Sequence, residues 1–568
     1  MGSETTFQAA EYTQSFVSLF LSIYFYLIHF ILFIYLFKIF FLSDSIAIDD
    51  SFPTALENTP GRPQVEQHTS MEWWVTAVLS ALLSLIAYRK LAGPSAHPNE
   101  PPVIPTSIPY VGHLVGMMRH RSLYYSKISS NRSEGIYTLR MPGSTTYVIT
   151  SPALVAAMDR KHRAISFQPF AVEFGKRVFS IAHGRYEDVL AADEKCLHQS
   201  LTPGESLNSM LRVSLASATK MLSCDSSFVE GVKGRAFDLS TWARHLMTRI
   251  TTDAVYGTRH NPFGDPEVEA GFWAFEDGFY LYLGGISPRI LAPAASAGRQ
   301  TLFDAFARYH AVGGYKSASR LVQARYDIQG EQGLGVTESD LARLCALISF
   351  SFLSNTVPTA TWVLWNIYSN DTLLAEVRYL LATYVHTSSS GGKPTRTLDI
   401  SRVIKEAPLL TSLVHETLRV QTQNATLRTV KEDVWLNDQW FLRGGSRLLV
   451  SLSQIHNDTA AWGECAGNFD PKRFIRSDTM SGKFPGPAYR ALGGGGTICC
   501  GRHFAVQEII VVIAIMVLQY DLKPDGEQWT LPERKPHIAK TLVFPDGVRV
   551  MLSPRGDLED SEWRFTFS

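Results

Sequence analysis

The chain has 568 residues, of which 45% are hydrophobic and 19% charged. This length allows a large buried core, in two or three domains or in one large helical unit with additions. Lysine plus arginine and aspartate plus glutamate number 53 each, so the overall charge gives no indication of a nucleic-acid partner, for which a basic excess is typical. The cysteines are far apart except for Cys499 and Cys500, which argues against a disulfide framework and fits a reducing compartment.

The N-terminal segment contains two apolar runs. Residues 16–37 carry no charge and are followed by Lys38, and a bilayer core requires about 20 such residues. A shorter run at 73–88 is followed by Arg89 and Lys90, which the positive-inside tendency places in the cytosol. A cleaved signal peptide is the alternative for the first run, but that run is long and lacks a basic preceding segment. We expect a membrane anchor with one or two transmembrane helices.

Repeated prolines mark the end of the anchor. Residues 93–113 are rich in proline, which cannot continue a helix and favours a stiff extended linker. The expected organisation is an N-terminal extension at 1–70 with its membrane segment at 16–37, a second membrane segment at 71–92, a hinge at 93–113, the main domain at 114–555 and a C-terminal tail at 556–568.

The main domain is expected to be mainly α with small β-sheets. Residues 135–150 predict two strands around a Pro-Gly turn, and Ser151-Pro152 starts a helix. Helical patterns dominate residues 185–385. The segment 541–555 predicts a hairpin around its Pro-Asp-Gly turn.

A glycine run and two cysteines precede an apolar helix in the segment ALGGGGTICCGRHFAVQEII, residues 491–510. Glycines let the backbone fold around a sulfur, and the N–H groups at a helix start stabilise a metal-binding thiolate. Haem iron accepts a single protein thiolate. Zinc is disfavoured because no second ligand pair lies nearby at zinc spacing. A glycine-rich turn with two buried cysteines is the structural alternative, and these residues alone do not separate Cys499 from Cys500.

Three charged residues further suggest a buried cluster. Glu416 and Arg419 are spaced i, i+3 on a predicted helix and can pair on one face. Arg473, in the sequence NFDPKRF, can complete the cluster. The spacing alone is weak evidence because surface helices contain many such pairs.

In the long apolar segment at 346–365, the polar residues are clustered. They are Ser354, Asn355, Thr356 and Thr359. Pro358 removes one helical hydrogen bond and clashes with the carbonyl four residues earlier, so we expect the helix to open beside Thr356. An ordinary proline kink with hydroxyls bonded back to the helix is the alternative.

In order and spacing, these features resemble the cytochrome P450 family over about residues 100–555. The resemblance rests on the proline hinge, the helix around Asn355-Thr356, Glu416-x-x-Arg419, the Asp-Pro-Lys-Arg-Phe of 470–474, and Leu492-x-x-Gly495-x-x-x-Cys499-x-Gly501-Arg502. It implies the cytochrome P450 fold, preceded by the N-terminal transmembrane helix or helices, and implies that 114–555 is a catalytic domain.

The resemblance also implies a haem b cofactor. The family pattern C-x-G-R makes Cys499 the axial ligand of the haem iron, because Gly501 and Arg502 follow at the family's offsets. Cys500 is one residue too close to both. Gly495 belongs to the same cofactor-binding loop.

Two positions depart from the family pattern. Leu492 stands where an aromatic residue usually packs against the haem, and Thr497 stands where a basic residue often pairs with a haem propionate. Arg428 falls at another position that often supplies a propionate donor, with a solvated or core-edge arginine as the alternative.

On the oxygen side, the family uses an acid-Thr or amide-Thr pair and a water chain to deliver protons. The resemblance assigns this catalytic role to Asn355 and Thr356. Asn in place of the acid, followed by Thr-x-Pro, is similar to the branch with sterol 7α-hydroxylases and prostacyclin synthase, and to many fungal enzymes of secondary metabolism. That branch contains monooxygenases and also haem-thiolate isomerases that use no O2.

The expected activity is that of a membrane-anchored monooxygenase acting on a lipophilic terpenoid, sterol or polyketide-like molecule in a fungal secondary-metabolite pathway. An O2-independent isomerase or dehydratase, and a haem-binding sensor or inactive scaffold, are the alternatives. We expect the endoplasmic reticulum membrane as the location, with the catalytic domain facing the cytosol. Phe167, Phe170 and Phe174, in a segment expected to form a substrate-covering loop, line the pocket in this interpretation; a structural hydrophobic loop is the alternative.

Electrons are expected from a separate NADPH-cytochrome P450 reductase, because the sequence contains no flavin or dinucleotide fingerprint. A basic bias around the cysteine loop suits an acidic redox partner. The residues behind this expectation are Lys472, Arg473, Arg476, Lys483, Arg490 and Arg502.

Overall fold

Two long apolar helices form the centre of the fold. The structure is a computed structural model that describes Val78 and residues 97–568, except 130–131, 286, 331–332, 390–392, 476–485 and 557–560. Apart from Val78, the predicted membrane segments at 16–37 and 71–92 lie outside the described residues. Within the described part, Glu338–Tyr368 and Arg502–Gln519 are long and apolar enough to cross a membrane, but 72% and 78% of their apolar windows are buried in the protein, as in core helices.

The helices in chain order, with three short 3-10 turns at Pro262–Gly264, Gly314–Ser317 and Gly486–Ala488, account for most of the described residues. They are α1 Gly112–His120, α2 Leu123–Ser129, α3 Pro152–Arg160, α4 Gln168–Phe179, α5 Tyr186–Leu201, α6 Glu205–Met221, α7 Ser227–Glu230, α8 Leu239–Tyr256, α9 Pro266–Leu283, α10 Pro288–Leu291, α11 Pro293–Ala311, α12 Arg320–Gln329, α13 Glu338–Tyr368, α14 Asp371–Ala382, α15 Ile400–Glu406, α16 Pro408–Gln421, α17 Leu452–His456, α18 Thr459–Trp462 and α19 Arg502–Gln519.

The strands form small sheets, so the predicted class, mainly α with small β-sheets, is confirmed. They are β1 Ile136–Met141, β2 Ser144–Ile149, β3 Ile165–Ser166, β4 Ala236–Asp238, β5 Val385–Ser388, β6 Thr395–Asp399, β7 Ala425–Val430, β8 Val434–Leu436, β9 Trp440–Leu442, β10 Arg447–Ser451, β11 Gly493–Gly494, β12 Thr497–Ile498, β13 Tyr520–Pro524, β14 Arg549–Pro554 and β15 Glu562–Thr566. The largest sheet has the order β1-β2-β10-β7-β3, and the three-stranded sheets are β13-β14-β4 and β15-β6-β5.

The register of the largest sheet positions part of the site. β1 and β2 form the predicted antiparallel pair, with Ile136 opposite Ile149. β10 runs parallel to β2 and antiparallel to β7, where Arg428 lies opposite Leu448. The predicted helix after Ser151 is also present, as α3 with Pro152 at its first position.

Three segments differ from the sequence-based expectations. The hinge joins the body, because Ile104 donates to the Thr138 carbonyl and Thr138 donates to the Pro102 carbonyl at 2.9 and 2.8 Å. The hairpin predicted at 541–555 does not form; β14 pairs instead with β13 and β4. The C-terminal tail contributes β15, which pairs in parallel with β6. An alternating apolar pattern predicts a strand but not the strand with which it pairs. The hairpin at 541–555 was therefore predicted with the wrong partner strand.

Helix α13 begins at a sequence-encoded cap. The Thr337 hydroxyl accepts the Asp340 N–H, and Glu338 and Asp340 place negative charge in the first turn, where the helix dipole favours it. Most residues beyond that turn are buried, as expected for a helix that crosses a core. Phe352 of α13 contacts Phe504 of α19 edge to face, with ring centroids 5.6 Å apart. The two central helices therefore meet directly beyond the cysteine loop.

Candidate active site

The segment before Cys499 is a tight glycine hairpin. Strand β11 pairs with β12, with Gly493 opposite Ile498, and the Cys499 N–H donates to the Leu492 carbonyl at 2.8 Å. Gly493 has φ of 75°, and a Cβ there would collide with the Thr497 carbonyl oxygen. Cys499 thus lies between the end of the hairpin and the start of α19.

The environment of Cys499 differs from that of Cys500. Cys499 is exposed, yet burial raises the pKa of its thiol, so it lies in a recess rather than on an open surface. Hydrogen bonds from the backbone N–H groups of Gly501 and Arg502, and the Arg502 charge, act in the opposite direction on this pKa. Burial raises the pKa of Cys500 to about 11, and Cys499 and Glu194 add to the rise. The Arg502 charge acts on both thiols, whereas the backbone N–H groups of Gly501 and Arg502 act on Cys499.

The tip of the hairpin packs against an ion pair that was not predicted from the sequence. Arg490 is buried and pairs with Asp159 of α3. Gly495 has φ of 61°, and a Cβ there would lie 2.5 Å from Asp159 Oδ1. Gly496 next to it has nothing within 4 Å of such an atom. Gly495 is therefore required both by its backbone conformation and by its contact with Asp159.

Arg428 reaches from β7 to the same hairpin. It is 8% exposed, donates from Nη1 to the Leu427 carbonyl at 2.8 Å, and donates from Nη2 to Thr497 Oγ1. Its guanidinium also lies over the Phe167 ring, 5.2 Å from the centroid. Burial lowers the pKa of Arg428 to about 10. Among the described residues, no carboxylate lies at ion-pair distance from this cation.

Glu416 and Arg419 form a buried bidentate pair on α16. Arg419 Nε donates to Glu416 Oε2 at 2.8 Å, and Nη2 donates to Oε1 at 2.7 Å. The remaining N–H groups of Arg419 donate to the carbonyls of His456, Ala466 and Asn468. All five donors of the guanidinium are therefore used.

Arg473 completes the cluster from the chain segment that precedes the hairpin. Its Nε donates to Glu416 Oε1 at 3.1 Å, and the Asp470 N–H donates to the same oxygen at 2.9 Å. Arg473 also donates to the carbonyls of Trp462, Cys465 and Asn468. The structure thus brings Glu416, Arg419 and Arg473 together, and their role is to tie α16 to the segment at 456–473.

Asn355 and Thr356 lie one turn from the contact between α13 and α19. They follow Phe352 by three and four residues, so they share the face that contacts Phe504. Asn355 is exposed, whereas Thr356 is buried. In the described part of the chain the Thr356 hydroxyl has no protein hydrogen-bond partner.

The expected opening of α13 beside Thr356 is not present. The helix continues from Glu338 to Tyr368 with Pro358 inside it. Thr359 Oγ1 donates to the Asn355 carbonyl at 2.6 Å, and Thr361 Oγ1 donates to the Val357 carbonyl at 2.9 Å. These hydroxyls bond back to the helix around the proline, which is the alternative stated above. Thr356 differs from both because its hydroxyl is not used in this way.

Two residues of the expected basic surface are internal, and a third is paired with a carboxylate. Arg473 and Arg490 are held in the contacts described above, and Lys472 pairs with Glu376 at 2.6 Å. Arg476 and Lys483 lie outside the described residues. Arg502 is half-buried and donates to the Cys499 carbonyl at 3.0 Å. The number of basic residues overestimates the free positive charge, because the sequence does not show which of them pair with carboxylates.

The segment expected to be a substrate-covering loop is the helix α4. Phe167, Phe170 and Phe174 form a chain of ring contacts, with centroids 5.6 and 6.0 Å apart. Phe174 continues the chain to Phe350 of α13 at 5.9 Å and to Phe279 of α9 at 6.2 Å. This aromatic cluster connects α4 and α9 to the helix that carries Asn355.

The residues around Cys499 fit a haem. The recessed thiol receives backbone N–H groups, and the glycines of the hairpin keep the backbone close to it. Arg428 is a buried cation with no carboxylate of the described residues at ion-pair distance, and a haem propionate is an anion that would balance it. Arg428 therefore offers N–H donors beside Thr497, the position where the sequence lacks its own basic residue.

Comparisons with known proteins agree with this site. The family model "Cytochrome P450" matches residues 307–547, which include α13, the Glu416 cluster and Cys499. The chain is 30% identical over 509 residues to the cytochrome P450 monooxygenase nodJ of Hypoxylon pulicicidum, covering 86% of this chain and 97% of the relative. It is 25% identical over 467 residues to a cytochrome P450 monooxygenase of Gibberella zeae, with 79% and 86% covered.

A mammalian relative extends the comparison. Cytochrome P450 7B1 of Mus musculus is 21% identical over 461 residues, with 78% of this chain and 89% of the relative covered. The match to the Hypoxylon protein spans nearly the whole relative, so it concerns the complete fold and not only the cysteine motif. The chain therefore belongs to the cytochrome P450 family and is a monooxygenase, an oxidoreductase that uses a haem iron with a cysteine thiolate.

Proposed function

We propose that this protein is a membrane-anchored monooxygenase that oxidises a lipophilic terpenoid, sterol or polyketide-like molecule in a fungal secondary-metabolite pathway. The observation that carries the proposal is the contact between Phe352 and Phe504, because it sets the Asn355 and Thr356 face of α13 against the helix that follows Cys499. A thiolate ligand and a polar oxygen-side pair are thereby held by the two helices that form the centre of the core.

Each site residue has a defined part in this proposal. Bound haem supplies the activation of O2 and the insertion of one oxygen atom into the substrate. Cys499 would supply the thiolate that binds the haem iron, and the N–H groups of Gly501 and Arg502 would help to stabilise its negative charge. Arg428 orients a propionate. Thr356 and Asn355 hold water and pass protons, since a hydroxyl and a carboxamide can both donate and accept.

The aromatic cluster of α4, α9 and α13 supports an apolar substrate. Phe174, Phe279 and Phe350 are in mutual contact on the helix that carries Asn355 and on its neighbours. The fungal relatives, both described as monooxygenases, fit a fungal oxidative pathway. The apolar runs at 16–37 and 73–88 support anchoring in the endoplasmic reticulum membrane with the catalytic domain at 114–555 in the cytosol.

A separate NADPH-cytochrome P450 reductase is the proposed electron source. The 568 residues contain no flavin or dinucleotide fingerprint, and Lys472 and Arg502 are the remaining described basic residues near the loop that are at least partly exposed. The partner is thus proposed from the chemistry of the reaction rather than from a strongly basic surface.

Labelled oxygen tests the function. The full chain would be expressed with a fungal reductase in yeast microsomes and given terpenoid, sterol and polyketide candidates under 18O2. We expect a product that carries one 18O atom and requires NADPH and the reductase, and no product from Cys499→Ala. Turnover without NADPH would instead identify an isomerase, and a reduced, CO-bound protein without a thiolate-type spectrum would identify a sensor or scaffold.

A further inference from the structure

The segment at 537–541 is anchored to α9 by a buried cation. Lys540 Nζ lies 2.5 Å from Glu276 Oε2 and 2.7 Å from Asp277 Oδ1. The side chains of Lys540 and Glu276 are 11% and 2% exposed, so this contact is largely removed from water. His537 Nδ1 accepts the N–H groups of Ala539 and Lys540 and closes the turn between them. One end of the segment is therefore fixed to α9.

The other side of the segment is fixed to the chain that follows α16. Asn424 Nδ2 donates to the carbonyls of Ile538 and Lys540 at 3.0 and 3.3 Å. The Gln423 N–H donates to the Thr541 carbonyl at 2.7 Å. The backbone at and next to Thr541 is thus fixed by hydrogen bonds from Gln423 and Asn424, independently of the Thr541 side chain.

Thr541 uses this fixed position to contact the oxygen-side helix. Its Oγ1 donates to Asn355 Oδ1 at 3.1 Å. With the carbonyl oxygen of the carboxamide engaged, its NH2 group is the end left to bind water or another acceptor. Within the described ranges, that NH2 group has no protein acceptor.

The orientation of the Asn355 carboxamide depends on the groups to which it is hydrogen-bonded. Rotation by half a turn about its last bond exchanges a donor for an acceptor at nearly the same place. The Asn355 backbone carbonyl is engaged by Thr359, but that contact does not determine the direction of the side-chain amide. The Thr541 hydroxyl is the described group that contacts the carboxamide, and in the structure it lies at the Oδ1 end.

We propose that Thr541 is a positioning residue that orients the Asn355 carboxamide, so that its NH2 group is presented as a hydrogen-bond donor on the oxygen side of the site. This inference rests on the proposed role of Asn355. Thr541 itself touches neither substrate nor haem in this scheme. It acts through Asn355, and the Lys540, Glu276 and Asn424 contacts hold it in place.

Carbon monoxide is the probe for the test, because its infrared stretch responds to nearby hydrogen-bond donors. The full chain is compared with Asn355→Ala, Thr541→Val and Thr541→Ser after reduction and CO binding. Thr361→Val is the matched control, since Thr361 is a buried threonine of α13 whose hydroxyl bonds only to the Val357 carbonyl. Peroxide released per NADPH consumed with the reductase, without substrate, is the second readout.

We expect Thr541→Val to shift the CO stretch in the same direction as Asn355→Ala and to raise the peroxide fraction at least twofold. Thr541→Ser should restore both values, because it keeps the hydroxyl, and Thr361→Val should match the native chain. Should Thr541→Val not retain haem, Thr541→Ala carries the same expectation.

The possible failures are distinguishable. A native CO stretch and peroxide fraction in Thr541→Val, with both changed in Asn355→Ala, would overturn the positioning role and leave the proposed function standing. Native values in both variants would remove the proposed role of Asn355 and the inference with it. A change in Thr541→Val alone would show that Thr541 acts independently of Asn355, which also overturns the inference.

Discussion

Arg428 of β7 donates a hydrogen bond to Thr497 of the glycine hairpin. Thr497 occupies the position where the family often has a basic residue, and the contact brings a cation to that place from a different element. The same hydroxyl donates to the Gly494 carbonyl at 3.2 Å and so belongs to the hairpin itself. The threonine at this position is therefore in contact with a cation from a segment far away in sequence.

Loss of Arg428 is expected to weaken haem binding. A hydrogen bond to a charged group contributes about 1.5–3 kcal/mol, so Arg428→Ala should lower haem affinity by roughly ten- to a hundredfold. The ratio of haem absorbance to protein absorbance and haem transfer to apomyoglobin measure this effect. Arg447→Ala is the control, because Arg447 lies on the adjacent strand β10 with a half-exposed side chain. Equal haem loss in both variants would contradict the assignment.

The two cysteines should behave differently when each is removed. Cys499→Ala is expected to abolish the thiolate-type spectrum of the reduced, CO-bound protein. Cys500→Ala should keep it, because Gly501 and Arg502 stand at the family's offsets from Cys499 and their backbone N–H groups act on the Cys499 sulfur. The opposite result would show that Cys500 is the iron ligand.

Gly495 and Gly496 form a matched pair for testing the hairpin. Gly495→Ala places a Cβ 2.5 Å from Asp159 Oδ1 at a φ of 61°, and such strain costs about 1–3 kcal/mol. Gly496→Ala meets nothing within 4 Å. We expect a lower thermal unfolding temperature and lower haem content for Gly495→Ala, with Gly496→Ala close to the native chain. Similar values for the two variants would count against the Asp159 contact.

Sequence reasoning succeeded where the determining contacts are local. Glu416 and Arg419 are one helical turn apart, and the structure shows them paired. Their geometry follows from backbone periodicity without knowledge of the fold. The strands β1 and β2 were predictable for the same reason, since a short turn joins them.

The contacts that sequence reasoning missed join distant segments. Arg490 and Asp159 are 331 residues apart, and Thr541 and Asn355 are 186 apart. No periodic pattern connects such pairs, because their meeting depends on how the complete chain folds. For the same reason, charge counting misplaced Arg490 on a basic surface.

Glu508 is a buried carboxyl on α19 that has no cationic partner among the described residues. It accepts hydrogen bonds from Ser214 of α6 at 2.9 Å and Thr251 of α8 at 2.8 Å. Burial raises the pKa of Glu508 from 4.5 to about 8, although both hydroxyls lower it. The folded protein therefore keeps this proton where the unfolded chain has lost it.

The pH dependence of stability follows from this difference. Between pH 4.5 and about 8 the folded state binds more protons at Glu508 than the unfolded state does, so the free energy of unfolding contributed by this group falls as the pH rises. The slope is about 1.4 kcal/mol per pH unit within that window, and it ends above the folded pKa. Glu508→Gln keeps the shape and an acceptor but does not titrate. Relative to the native chain, this variant should therefore gain stability as the pH rises from 5 to 8.

Denaturant unfolding of the haem-loaded protein at several pH values between 5 and 9 measures this difference. Thr251→Val supplies the second comparison, because removing a donor that lowers the pKa of Glu508 should extend the falling part of the curve to higher pH. A Glu508→Gln curve parallel to that of the native chain would show that Glu508 titrates alike in the folded and unfolded states. It would then have to be ionised between α6, α8 and α19, in contact only with hydroxyl donors among the described residues.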